Sequence, residues 1–343
     1  MTIAIIGAGA IGSVVAAYLT KAGEDVVLIG REDQAEAIQK NGLQVRGARG
    51  EGAFAVRALT HLDQEYDLVI FTVKTQDIEE AYAHNQAFLK KCLVLSSQNG
   101  VQSDTILAKH FDKGRLFSSV VMFGATYTNP GEAVFNFEGD WIIGKPSAGN
   151  DENVQRIAQV LKKGFNVVVS ENITGMKWLK LFVNFNNCIP ALTGKSMQET
   201  FADMDLCRLS ILLLKEGVGI VQENGIQLVS LPNFPAERVC GMANMPLDQA
   251  AGIINKTLTT LSKEPLYGSI LQSIMRGRSS EIDYINGQVL KMVRSPKDEA
   301  PLNARVVEMV HQVEQRKRYF TVEEIKEGFN LKSVISRQSS VVS

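Results

Sequence analysis

The chain has 343 residues, a formal net charge of −1 from 36 basic and 37 acidic side chains, and 45% apolar residues. Such a length suits two domains of ordinary size, and such an apolar fraction excludes a disordered polymer. The balanced charge leaves no surplus for a nucleic-acid backbone or an anionic membrane, so a negatively charged ligand must be held by a few placed residues.

The first half alternates short apolar runs with helical patterns. Thr2 to Ile6 (TIAII) reads as a buried strand, followed by glycines and a helix from about Ile11 to Ala22. Asp25 to Ile29, Asp67 to Val73, Leu93 to Ser96 and Leu116 to Met122 continue the strand series. This rhythm predicts an α/β domain over residues 1–169, a parallel sheet with helices on both faces. Ala133 to Phe137 and Trp141 to Ile143 flank Glu138-Gly139-Asp140, with Asn129-Pro130-Gly131 as an earlier turn. They predict an antiparallel hairpin appended to the parallel sheet.

Beyond about Val169 the strand signals stop. Lys177 to Leu192, Phe201 to Asn224, Leu247 to Leu261, Glu281 to Val293 and Asn303 to Gln315 read as helices punctuated by prolines. A helical domain is therefore expected over 170–332, and the serine-rich residues 333–343 are expected to form a flexible tail. Phe201 to Asn224 suits a homodimer interface or a core equally. No apolar run reaches the roughly 18 residues of a membrane span. Cys92, Cys188, Cys207 and Cys240 show no metal-like pairing, and no export signal is visible, so a reducing cytoplasm is expected. His61, His84, His110 and His311 are dispersed and lack ligand spacing, so no metal is expected.

Gly7-Ala8-Gly9-Ala10-Ile11-Gly12 follows the first strand and opens the first helix. In that context the G-x-G-x-x-G pattern has a mechanism: Gly7 turns tightly, Gly9 admits a pyrophosphate and Gly12 lets helix and strand pack closely. The helix N-terminus adds unpaired N–H groups and a positive dipole end. Arg31, after the second strand, presents a planar cation suited to a ribose 2′-phosphate, which favours NADP. Glu32 and Asp33 beside it would serve the NAD option or cap the next helix. Lys74 ends one strand and Asn99-Gly100 follows another, where ligands sit in open parallel sheets. Taken singly they read as a solvated lysine and a turn; with the glycine loop they read as a functional cluster.

Lys180, Asn184 and Asn187 fall at i, i+4 and i+7, one face of a helix otherwise rich in apolar residues. Lining a wet cleft, the ammonium could protonate a developing alkoxide; on spacing alone, an exposed lysine with structural asparagines is as good an account. The serines before Glu281 read as helix caps, with Glu281 in the first turn.

These segments together resemble the ketopantoate reductase (2-dehydropantoate 2-reductase) family over nearly the whole chain. The matching pieces are GAGAIG at Gly7, Val73-Lys74, QNG at Gln98, NPGEAVF at Asn129, WLKLFVNFNN at Trp178, SILQ at Ser269 and EIDYING at Glu281. The resemblance implies a Rossmann-type N-terminal domain and an all-helical C-terminal domain related to that of 6-phosphogluconate dehydrogenase. It implies NADPH-dependent reduction of 2-dehydropantoate to (R)-pantoate, with Lys180 and Glu281 as catalytic residues. Lys180 would be the general acid, and Glu281 would take a substrate hydroxyl, orient Lys180 and border the cofactor. Asn99, Asn184 and Asn187 would hold substrate and Ser269 its carboxylate. Gly7 to Gly12, Arg31, Lys74 and Asn99 would line the cofactor. The chain departs from the family pattern at Cys188, at Leu266 (an asparagine in some members) and at Ser273 (usually aspartate). The last two leave a different small 2-oxo acid as an alternative substrate. A non-catalytic NADP-binding sensor is a further alternative, opposed by the intact Lys180 and Glu281.

Overall fold

The computed structural model describes residues 1–146 and 149–340, with side chains as far as residue 336. The chain forms two compact units, Met1–Lys177 and Trp178 onward.

The first unit is built on an eight-stranded sheet. Its strands are β1 (Thr2–Ile6), β2 (Asp25–Ile29), β5 (Arg57–Leu59), β6 (Leu68–Phe71), β7 (Leu93–Ser96), β8 (Leu116–Val121), β11 (Trp141–Gly144) and β12 (Val167–Val169). Their order is β12-β11-β8-β7-β6-β1-β2-β5, parallel from β8 to β5. β11 runs antiparallel to β8. The chain order reverses between β1 and β6, the kind of switch point where open α/β sheets bind ligands. The central strands are apolar on both faces because both are covered. Ile3, Ile5, Leu28 and Ile70 face one cluster, while Ala4, Ile6, Val27 and Phe71 face another.

A second sheet holds β3 (Leu43–Gly47), β4 (Gly52–Phe54), β9 (Gly124–Asn129) and β10 (Glu132–Phe137), in the order β4-β3-β10-β9. Helix α1 (Ala10–Lys21) packs between the two sheets. Its Tyr18 meets the rings of Phe54, Phe135 and Phe165. Here the structure corrects the sequence reading. The antiparallel hairpin is β9–β10, turned at Pro130-Gly131, and it lies in the second sheet. Glu138-Gly139-Asp140 is instead the crossing by which the chain returns to the main sheet as β11. The unit also carries the helices α2 (Glu32–Asn41), α3 (Ile78–Asn85), α4 (Gln102–Leu107) and α5 (Glu152–Leu161).

Helix α6 (Ile173–Val183) contains the division between the units. The second unit continues with α7 (Cys188–Thr193), α8 (Met197–Thr200), α9 (Met204–Glu223), α10 (Ala236–Asn244), α11 (Leu247–Thr259) and α12 (Ser269–Met275). It ends with α13 (Asn286–Leu290), α14 (Pro296–Glu299), α15 (Pro301–Arg316), α16 (Val322–Gly328) and α17 (Leu331–Ser340). Among the described residues this unit has no named strand, only the isolated bridge Leu231–Phe234. No helix among them is long and apolar enough to cross a membrane.

Three helix expectations need revision. The single helix expected from Lys177 to Leu192 is interrupted by a 3-10 turn at Phe185–Asn187. The one expected from Glu281 is a 3-10 turn at Ile282–Tyr284 followed by the short α13. The expected flexible tail is helical through Ser340 as α17, while residues 341–343 lie outside the described residues.

Candidate active site

In the first unit, the carboxyl ends of β7, β6, β1 and β2 lie side by side, in register at Ser96, Phe71, Ile6 and Ile29. The glycine loop, Arg31, Lys74 and Asn99 all follow these ends within a few residues, so the topology gathers them along one sheet edge. Gly7 has φ +122°, and a Cβ there would sit 2.6 Å from the Val73 nitrogen. A Cβ on Gly12 would fall 2.0 Å from the Gly7 carbonyl oxygen, so both positions demand glycine. A Cβ on Gly9 would meet nothing within 4 Å, and no side chain caps the helix behind it. The loop therefore leaves open space in front of free helix N–H groups, a fit for the pyrophosphate of a dinucleotide.

Three polar side chains that sequence reasoning did not single out hold this edge in shape. Thr72 Oγ1 donates to the Gly7 carbonyl at 2.9 Å. Gln34 Nε2 donates to the Ala8 carbonyl at 3.0 Å, while its Oε1 accepts the Arg31 backbone N–H at 3.0 Å. Gln98 Nε2 donates to the carbonyls of Phe71 and Val73, each at 3.0 Å, tying the turn before Lys74 to the turn before Asn99. Gln98 was visible only as the first letter of QNG, and Gln34 carries no local signal. The Arg31 guanidinium is 68% exposed and lies 3.8 Å from Asp33, a loose contact that leaves it available to an anion.

In the second unit, Lys180 stands in the last turn of α6. It is partly buried, and burial pushes its pKa below the ordinary lysine value. No hydrogen-bond or ion-pair partner for its Nζ occurs among the described residues. Asn184 follows the end of α6, its N–H still bonded to the Leu181 carbonyl at 3.0 Å, and it leads into the 3-10 turn that ends at Asn187. Asn187 Nδ2 donates to Ser269 Oγ at 3.3 Å, joining residues 82 apart in sequence. That approach depends on Gly268, where a Cβ would lie 2.9 Å from Asn187 Oδ1. Ser269 is exposed at the start of α12. Glu281 is partly buried, just before the Ile282–Tyr284 turn. A cavity of about 340 Å³ beside Tyr18, Thr20 and Arg49 lies toward the C-terminal end of α1, away from the glycine loop, and none of the residues above lines it.

Residues 3–148 match the family model for ketopantoate reductase PanE/ApbA, and residues 172–314 match the model for its C-terminal part. The chain belongs to the ketopantoate reductase family. The 2-dehydropantoate 2-reductase of Pyrococcus horikoshii is 31% identical over 306 residues, covering 88% of this chain and 94% of that one. The Pyrococcus abyssi protein of the same name is 30% identical with the same coverage. Among solved structures, the PanE/ApbA family ketopantoate reductase of Ralstonia eutropha superimposes with a TM-score of 0.76 at 26% identity, covering 92% of this chain and 99% of that one. A D-mandelate dehydrogenase solved with NADH and anilino(oxo)acetate gives 0.78 at 22% identity over the same shares, a likeness of fold. As a ketopantoate reductase family member, the chain is an oxidoreductase of the kind that acts on CH–OH groups with a nicotinamide dinucleotide.

Proposed function

We propose that the protein reduces 2-dehydropantoate to (R)-pantoate with NADPH, the reductive step toward pantothenate and coenzyme A. The observation that carries this reading is Lys180: a lysine taken out of water at a helix end, with no counter-charge among the described residues. Burial without a partner weakens its hold on the proton, which is what a general acid near neutral pH requires.

The bound cofactor supplies the hydride; the chain's own side chains do the rest. The Lys180 ammonium gives its proton to the carbonyl oxygen as that oxygen gains charge, yielding a hydroxyl and a neutral amine. Ser269, with Asn187 beside it, holds the carboxylate, Asn184 and Asn99 hold the substrate, and Asn184 positions Lys180. Glu281 takes the substrate hydroxyl and orients Lys180. Gly7 to Gly12 cradle the pyrophosphate, Glu281 and Lys74 border the nicotinamide end, and Arg31 meets the 2′-phosphate. The substrate is a small-molecule 2-oxo acid, and no metal takes part.

One observation favours a second reading, the same chemistry on a 2-oxo acid with an apolar tail. Leu266 and Tyr267, next to Ser269 in sequence, are 37% and 39% exposed. Leu266 stands where some members of the family carry an asparagine, so this position offers no polar side chain to a substrate hydroxyl. Steady-state turnover of 2-dehydropantoate and of unhydroxylated branched and aromatic 2-oxo acids, with NADPH and with NADH, tests both. The first reading predicts the highest kcat/KM for 2-dehydropantoate with NADPH. A higher value for an unhydroxylated acid would overturn it in favour of the second.

A further inference from the structure

Glu281 is carried by one of the least regular stretches of the second unit. Its own backbone is not helical (φ −95°, ψ 24°), the turn after it spans three residues, and Ile285 beyond has φ −112° and ψ −90°. Its backbone bonds are those of a short turn: Tyr284 N–H to the Glu281 carbonyl at 3.0 Å and Ile285 N–H to the Ile282 carbonyl at 3.2 Å, with Ile282 N–H to Ser280 Oγ at 3.4 Å. One turn of α15 holds this segment from outside at two points. Glu314 Oε1 accepts the Ser280 N–H at 2.7 Å. The other oxygen of Glu314 is 2.9 Å from His311 Nδ1, and His311 Nε2 is 3.1 Å from Asp283 Oδ1. The residue before Glu281 and the residue two after it are thus tied to the same pair of side chains.

We propose that His311 and Glu314 are positioning residues for Glu281, a two-point clamp closed by the charged imidazole. The proposal rests on the reading of Glu281 as a substrate contact given above. The chemistry of the clamp sets its charge state. Ionised carboxylates only accept hydrogen bonds, so an imidazole bonded to one at each nitrogen must carry both protons. Partial burial works against that charge, but the bonds to Glu314 and Asp283 outweigh it and raise the pKa above the ordinary histidine value. Lys291 also faces Asp283 and lies over the Tyr284 ring, and the Glu281 carboxylate belongs to the same segment. As pH rises through the raised pKa, His311 keeps a donor for one carboxylate and turns a lone pair toward the other, so the clamp opens at one end.

Kinetics of the full-length enzyme with NADPH and the best 2-oxo acid test this. His311→Ala should raise KM for the oxo acid on the order of tenfold, the effect of one weakened hydrogen bond to the substrate. His311→Arg, which can bridge both carboxylates with a permanent charge, should restore KM and flatten its rise with pH. In a Glu281→Gln background, His311→Ala should add little, because its effect runs through Glu281. An equal loss in both backgrounds, or no loss in the wild-type background, overturns the clamp while leaving the role of Glu281 intact. Glu281→Gln at wild-type turnover overturns the reading of Glu281 itself, and the clamp with it. Should His311→Ala fold poorly, Glu314→Gln keeps an acceptor for Ser280 and loses the charge that holds His311. It should give the same KM increase in the wild-type background only.

Discussion

Two lysines one turn apart on α6 have opposite surroundings. Lys177 is 2% exposed and fully paired: its Nζ is 2.9 Å from both oxygens of Asp104, 2.9 Å from Ser118 Oγ and 3.3 Å from Ser103 Oγ. Lys180 is also withdrawn from water, but with no counter-charge among the described residues, and burial pushes its pKa below the ordinary lysine value. A buried cation with its counter-ion and hydroxyls in place is satisfied. A buried cation without them holds its proton weakly. The same side chain, three residues apart, therefore serves as an anchor in one position and is suited to acid catalysis in the other.

Removing the amine of Lys180 should have the largest effect. Lys180→Ala is expected to lower kcat by about 10²–10⁴-fold, the usual worth of a positioned proton donor, while NADPH titration gives an unchanged Kd. The pH dependence sharpens the distinction. As the proposed proton donor, Lys180 would have to be protonated to act, so kcat should fall as pH rises through its lowered pKa. Between that pKa and the ordinary lysine value the unfolded chain binds more protons than the folded one, so stability should rise with pH over the same window. Activity and stability thus move in opposite directions, and Lys180→Ala should remove this contribution to both trends. Equal turnover in the variant would make Lys180 a mere neighbour of the site.

Breaking the anchor should be felt in stability instead. Lys177→Met leaves the Asp104 carboxylate, itself only 13% exposed, without its counter-ion. The expected loss is about 3–5 kcal/mol in denaturant unfolding, with turnover per folded molecule held within a few-fold. Adding Asp104→Leu should recover much of the loss, because the uncompensated charge is then gone. If Lys177→Met instead kept full stability and lost turnover, the roles of the two lysines would be reversed.

The contrast also marks what a sequence can disclose. The glycine loop was legible because its demands are on backbone: Gly7 and Gly12 have no room for a Cβ, and that requirement is written in adjacent letters. The sheet that carries the loop was legible from its apolar runs, since both of its faces are covered. Lys180 was legible as a candidate by its spacing and by family resemblance. Lys177 was not legible, because its partners Asp104, Ser103 and Ser118 lie 73, 74 and 59 residues away and none belongs to a recognisable motif. The second sheet was missed for a related reason. β4 has three residues, and only one side of β3 is buried, so neither carries an apolar run. Glu138-Gly139-Asp140 was misread because a turn between two apolar runs does not reveal that they belong to different sheets. Glu281 was assigned to a helix because serine and acidic residues suit a helix start, whereas its segment is held from outside by α15.

The smallest expected effect is at Ser118, and it separates the ion pair from the hydroxyls around it. Ser118 Oγ accepts from Lys177 at 2.9 Å and donates to Asp104 Oδ2 at 2.7 Å. Ser118→Ala removes both bonds but leaves the direct contacts between ammonium and carboxylate. Losing hydrogen bonds to charged groups should cost about 1.5–3 kcal/mol in the same unfolding assay, less than Lys177→Met, with kcat unchanged. A cost equal to that of Lys177→Met would mean that the hydroxyl bridge, rather than the charge pair, holds this part of α6. A fall in kcat without a fall in stability would mean that the surroundings of Lys177 govern the chemistry assigned to Lys180, and the division of labour between the two lysines would fail.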